Sequence, residues 1–174
     1  MQNGWKGAVK LRVNADAMTL YAVTDRTWVE DTTLMDQVKE ALEGGITFLQ
    51  LREKHLSKEE FIKEAREMKE LSKEYKVPFV INDNIEVALA VDADGVHIGQ
   101  DDMSVEEARK LLGEDKIIGV SAHNVEEAIK AQKGGADYLG VGAVCATSTK
   151  KDANVVSKEE IKKSVNNSRD SSGS

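Results

Sequence analysis

Six short runs along the chain are almost continuously apolar: LYAVTD from Leu20, TFLQLREK from Thr47, PFVIND from Pro78, GVHIGQ from Gly95, IIGVSAH from Ile117 and YLGVGAV from Tyr138. Strict apolar–polar alternation is missing, which predicts strands covered on both faces, as in a parallel sheet. The segments between them change period. LMDQVKEALEGG places Leu34, Val38, Ala41 and Leu42 on one helical face and stops at a glycine pair, while SKEEFIKEAREMKELSKEY opens on Ser57 with Glu60 three residues on. VEEARKLLGED and VEEAIKAQKGGAD follow the same grammar. A strand-then-helix unit recurring six times predicts an α/β protein, either a doubly wound sheet or a (β/α)₈ barrel.

Polar clusters decide between these two. QLREK (Gln50 to Lys54), IND, GQDDM, GVSAHN and ATSTKKD each follow a strand, so the chemistry gathers at the carboxyl ends of five different strands. A barrel assembles its site in that way from many loops, whereas an open sheet concentrates it at one switch point. From Val155 the pattern fails. VSKEEIKKSV reads as one more helix, and NNSRDSSGS is too polar to pack. The expectation is one barrel domain over residues 1–165 with about six βα units, its last two strands missing, followed by a disordered polar tail over 166–174.

The strand-end residues sort into two sets. Arg52, Lys54 and Lys150, with the donors Asn82, Ser121, Thr147, Ser148 and Thr149, suit the oxygens of a diphosphate. The acids Asp83, Asp101 and Asp102 suit Mg²⁺, a hard cation that takes one or two carboxylates and shares its other positions between water and substrate phosphates. One acid of the adjacent pair is expected to meet Asp83 at the barrel mouth, with the other turned away; for Asp101, helix capping or solvent exposure is the simpler role. His97 inside a strand reads as a hydrogen-bonded core residue, Cys145 as a buried thiol, and Trp5 and Trp28 as packing groups.

Composition removes other classes. The 174 residues carry a net charge of −7, so no diffuse basic surface exists for nucleic acid or anionic lipid. A single cysteine excludes an internal disulfide and fits a reducing cytoplasm, and no apolar run approaches the ~20 residues of a membrane span. The expected partners are small molecules.

At these residues the chain resembles the thiamine-phosphate synthase family. LYAVTDR, GGITFLQLREK, VPFVINDNIEVALAVDADGVHIGQDDM, IIGVSAHNVEEA, GADYLGVGAV and TSTKKDA match family motifs in order, from about Leu20 to Ala153. The resemblance implies a (β/α)₈ barrel that joins 4-amino-5-hydroxymethyl-2-methylpyrimidine diphosphate to thiazole phosphate with Mg²⁺, releasing pyrophosphate through a pyrimidine-stabilised carbocation. It assigns Gln50, Leu51, Arg52, Glu53, Lys54, Asn82, Ser121 and Lys150 to the pyrimidine diphosphate, Thr147, Ser148 and Thr149 to the thiazole phosphate, and Asp83 with Asp102 to the metal. Arg52, Lys54 and Lys150 become the groups that stabilise the departing pyrophosphate. A thiazole tautomerase relative would not need this diphosphate site, and a catalytically inactive barrel with partial diphosphate binding is the alternative from another class.

Two departures stand out. Cys145 and Ala146 occupy positions where the family usually has an aromatic residue and a proline. The family also continues with a strand like IPVIAVGG and then an eighth strand. Codons for NSRDSSG, Asn167 to Gly173, can be chosen so that reading one base later gives Ile-Pro-Val-Ile-Ala-Val, which suggests a frameshift that the coding DNA near Asn166 would reveal. Missing strands leave open sheet edges, so low stability or association into a homo-oligomer is expected.

Overall fold

Residues 12–29 and 31–142 are described by the computed structural model. Six strands lie in sequence order in one sheet, all parallel: β1 (Tyr21–Val23), β2 (Phe48–Leu51), β3 (Phe79–Asn82), β4 (Gly95–Ile98), β5 (Ile117–Ala122) and β6 (Tyr138–Val141). Between them run α1 (Leu34–Glu43), α2 (Lys58–Glu74), α3 (Ile85–Ala90), α4 (Val105–Leu112) and α5 (Val125–Lys133). The loop Thr147–Lys150, Cys145, Trp5 and the whole segment from Val155 fall outside the described residues, as do the expected tail and the question of further strands.

Local chemistry explains where the helices start. Thr33, Ser57 and Ser104 each accept from the backbone N–H three residues on, and the side chains of Asp36, Glu60 and Glu107 return the bond to the cap. Such boxes satisfy two donors that the first turn leaves without partners. Asn124 and Asn84 cap α5 and α3 through the N–H groups of Glu127 and Val87. At six residues, α3 is too short to display a helical period, and no separate segment of the sequence announces it.

Strand side chains alternate between two cores. Leu49, Leu51, Phe79, Ile81, Val96, Ile98, Ile118 and Val120 pack against helix residues such as Val38, Phe61, Met68, Val87 and Ala108. The opposite face gathers Phe48, Val80 and Ile117 with Val13, Ala17, Met18, Tyr21 and Tyr138, and no α-helix contributes to it. All the described α-helices therefore cover one face, which is the arrangement of a barrel arc and not of a doubly wound sheet. Tyr21 and Tyr138, on the first and last described strands, meet across this interior with hydroxyl oxygens 2.7 Å apart.

Glycines on β4 and β5 make that interior possible. A Cβ at Gly95 would lie 2.0 Å from the Ile117 carbonyl oxygen, and one at Gly119 would lie 2.0 Å from the Tyr138 ring. Large and small residues thus interdigitate between neighbouring strands.

At the opposite end from the polar loops, every second strand is preceded by a polar residue that ties down its predecessor. Thr47 Oγ1 accepts from the Leu20 N–H at 2.8 Å, Asp94 Oδ2 from Phe79 N–H at 2.8 Å, and Asp137 Oδ2 from Ile118 N–H at 2.8 Å. Cations complete the two acidic latches: Lys69 on α2 donates to Asp94 at 2.7 Å, and Arg109 on α4 and Arg12 donate to Asp137 at 2.7 and 2.8 Å. The Asp137 carboxylate is only 8% exposed, with both guanidiniums largely buried beside it. Asp137→Ala removes the one carboxylate that two guanidiniums share and leaves the Ile118 N–H without its acceptor, and is expected to cost about 3 kcal/mol in a denaturant melt. A change in midpoint no larger than that of an exposed-site substitution would contradict the latch.

Candidate active site

The inward phase of the strands carries polar residues only towards their carboxyl ends. Gln50, Asn82, His97 and Ser121 share the face of Phe48, Val80 and Ile117, and each is buried. Gln50 Nε2 donates to Tyr21 Oη at 2.7 Å, His97 Nδ1 lies 3.0 Å from Tyr138 Oη, and His97 Nε2 lies 3.0 Å from Ser121 Oγ. The Ser121 carbonyl is fixed from outside by Gln100 Nε2 at 2.6 Å. A buried polar group without a partner is costly, so these bonds are what permit a polar barrel interior.

Beyond the strand ends the five residues of QLREK divide by phase. Leu51 is fully buried on the helix side, and Glu53, its carboxylate 2% exposed, accepts from Arg26 Nε at 2.6 Å. Burial holds the Glu53 carboxyl above its usual range, with Arg26 working in the opposite direction and Glu64 adding to the rise. Only the backbone of these two residues is left for a ligand at the mouth, while Gln50, Arg52 and Lys54 belong to the site side. Thr24 sets the turn: its hydroxyl accepts from the Arg52 N–H at 2.9 Å.

Lys54 Nζ donates to Asp83 Oδ2. Asp83 sits at φ +61°, a left-handed conformation that aspartate tolerates better than most residues, with its N–H bonded to the His97 carbonyl at 2.8 Å. That kink turns the carboxylate towards Asp102, whose Oδ2 accepts from the Gly99 N–H at 2.7 Å. Asp101 is exposed, and the cap of α4 is Ser104. Partial loss of hydration raises the Asp102 carboxyl above its usual range, and the nearby Asp83 carboxylate adds to the rise; the Gly99 N–H and the Lys54 charge oppose it. Because the folded state favours the acid form of Asp102, its contribution to stability is present below the ordinary aspartate pKa and is lost as pH rises through the raised value. Asp102→Asn keeps an acceptor for Gly99 and is expected to raise the stability of the metal-free protein at neutral pH by about 0.5 kcal/mol. A lower melting temperature than that of the parent would show that the two acids do not repel.

The pair suits a hard divalent cation: two carboxylates converge at a solvent-accessible mouth with Lys54 beside them, and such a cation shares its other positions between water and phosphate oxygens. Among the described residues no cluster of three or more His, Cys, Asp and Glu side chains is gathered. A cavity of about 620 Å³ lies instead between α1 and α2 around Met35, Ile62 and Leu71. It contains none of the strand-end groups, so the chemistry selects the mouth over the larger volume. Thr147, Ser148, Thr149 and Lys150 lie outside the described residues. Tyr21, Tyr138, Thr24 and Gln100 were not singled out by sequence; the tyrosines read as strand hydrophobics, and only their phase with Gln50 and His97 marks them as polar partners.

A family model described as thiamine monophosphate synthase matches residues 20–169. The chain belongs to that family. Thiamine-phosphate synthase of Clostridium acetobutylicum is 54% identical over 143 residues, covering 82% of this chain and 68% of the relative. The corresponding protein of Halalkalibacterium halodurans is 51% identical over 133 residues, covering 76% of this chain and 63% of the relative. The solved thiamine phosphate pyrophosphorylase from Pyrococcus furiosus superposes with a TM-score of 0.78 at 41% identity, covering 86% of this chain and 70% of that one. The chain thus spans about two thirds of the length of these relatives, and the family places it among transferases of thiamine biosynthesis. No helix of the described residues is long and apolar enough to cross a membrane.

Proposed function

We propose that this chain is a thiamine-phosphate synthase that joins 4-amino-5-hydroxymethyl-2-methylpyrimidine diphosphate to 4-methyl-5-(2-phosphoethyl)thiazole in a cytoplasmic reaction. The observation that carries this reading is the Asp83–Asp102 pair beside Lys54, at the mouth of an interior lined by Gln50, Asn82 and Ser121. Residues 1–165 act as one barrel-family domain in this reading, with 166–174 as a polar tail.

The bond from the pyrimidine methylene carbon to the diphosphate oxygen breaks with both electrons leaving on oxygen, and the thiazole nitrogen then bonds to that carbon. The protein supplies no nucleophile. Gln50, Asn82 and Ser121 orient the pyrimidine diphosphate, while Arg52, Lys54 and Lys150 stabilise the charge that grows on the departing pyrophosphate. Asp83 and Asp102 hold Mg²⁺, which when bound adds Lewis-acid stabilisation of the phosphate oxygens. Thr147, Ser148 and Thr149 position the thiazole phosphate. Retention of the acids and cations at the strand ends separates this reading from a tautomerase, which has no diphosphate to release.

Incubating the purified chain with both substrates and Mg²⁺ and measuring thiamine phosphate tests the proposal. Product formed in step with pyrophosphate supports it. Absence of product from soluble, cooperatively folded protein overturns the activity and leaves an inactive family member.

A further inference from the structure

Gln50, Tyr21, Tyr138, His97 and Ser121 form one unbroken hydrogen-bond path across the barrel interior, from β2 through β1, β6 and β4 to β5, with links of 2.7, 2.7, 3.0 and 3.0 Å. Both of its ends are residues assigned above to the pyrimidine diphosphate. The side chains of the middle three have no role in the reaction as described.

Donation can run along the path outward from Gln50. The Gln50 amide nitrogen only donates, so Tyr21 Oη accepts from it. Burial, foremost, makes both phenols weaker acids than usual, so each hydroxyl keeps its one proton. Continuing outward, Tyr21 donates to Tyr138 and Tyr138 donates to His97 Nδ1, a direction that the atom positions allow. A neutral imidazole that accepts at Nδ1 carries its hydrogen on Nε2 and donates it to Ser121 Oγ. The serine hydroxyl proton is then not committed to any of these bonds.

We propose that this path locks His97 as the neutral Nε2–H tautomer and thereby presents the Ser121 hydroxyl as a donor to the leaving diphosphate, making His97, Tyr138 and Tyr21 positioning residues for Ser121. The functional half rests on the synthase reading; the tautomer half does not. Packing keeps the path in place: a Cβ at Gly119 would lie 2.0 Å from the Tyr138 ring and one at Gly140 would lie 2.9 Å from the His97 ring, so both rings occupy slots that only glycine leaves open. His97 and Tyr138 pack with ring centroids 5.5 Å apart.

The test begins with nitrogen-15 NMR of the histidine-labelled full chain, in which His97→Gln identifies the His97 signals among those of His55 and His123. An unprotonated Nδ1 and a protonated Nε2 are expected; the Nδ1–H tautomer or a doubly protonated ring overturns the proposal. Tyr138→Phe removes one oxygen and keeps the ring packing. It is expected to release the tautomer preference and to lower kcat about tenfold with little change in KM, the loss of one neutral hydrogen bond in the transition state. In a Ser121→Ala background the same substitution is expected to change kcat no further. Equal losses in both backgrounds would mean that Tyr138 acts independently of Ser121, and would overturn the positioning role. Absence of turnover in the unmodified chain would instead defeat the synthase reading, with the NMR result still deciding the path.

Discussion

Asp83→Asn is expected to lower thiamine phosphate formation by roughly 10³-fold at saturating substrates. Asparagine is chosen because Asp83 holds φ +61°, a conformation that asparagine adopts readily and alanine does not, so the backbone bond to the His97 carbonyl is kept. What changes is the charge. Without it the cation site has one carboxylate, Lys54 has lost its partner, and the charge of the departing pyrophosphate is less well stabilised. Asp102→Asn should produce a loss of similar size, and the double variant should lose little more, because either acid alone cannot hold the cation as the pair does. Steady-state kinetics across a Mg²⁺ series provides the check. If each variant retained near-parental turnover, or if their losses simply multiplied, the acids would not be acting as one site.

Gly95→Ala should be the most damaging single-atom addition to the described fold, at about 3 kcal/mol or more, equivalent to a fall in melting temperature of roughly 6–12 °C. The added Cβ would lie 2.0 Å from the Ile117 carbonyl oxygen and 2.6 Å from its carbon, both backbone atoms of a hydrogen-bonded neighbour strand. No rotamer change relieves that collision. Gly119→Ala meets only the Tyr138 side chain, so trimming Tyr138 to leucine should recover much of its loss. Trimming Ile117 to alanine should recover little for Gly95→Ala. Thermal melts of these variants separate the two cases, and equal rescue at both sites would refute the distinction between backbone and side-chain collisions.

Much of this architecture was legible because neighbouring residues decide it. Apolar runs bounded by glycines and acids marked the strands, and Ser57 with Glu60 marked a helix start that the structure closes with a capping box. The strands themselves are shorter than the runs. LYAVTD contributes only Tyr21–Val23, because the Asp25 side chain accepts from the Thr27 N–H and turns the chain into a short 3₁₀ helix over Arg26–Trp28. Selecting Asp102 over Asp101 required the resemblance, since adjacency alone leaves both open; in three dimensions the Gly99 N–H turns Asp102 back towards Asp83. The phase of Leu51 and Glu53, and the tyrosine path behind Gln50, were not legible from motifs. They depend on which face of β2 points inward and on strands distant in sequence meeting across the interior.

The polar latches at Thr47, Asp94 and Asp137 fall on alternate strands and at nearly even intervals along the chain. Each binds an odd strand to the even strand that follows it, so the smallest self-consistent piece of this sheet is a two-strand module and not a single βα unit. Chimeras with related barrels should therefore tolerate crossovers placed ahead of α2 or α4, where each latch travels with its strand N–H and with its helix cation, Lys69 or Arg109. A crossover after α1 or α3 would separate a donor from its acceptor and should yield chains that accumulate as aggregates.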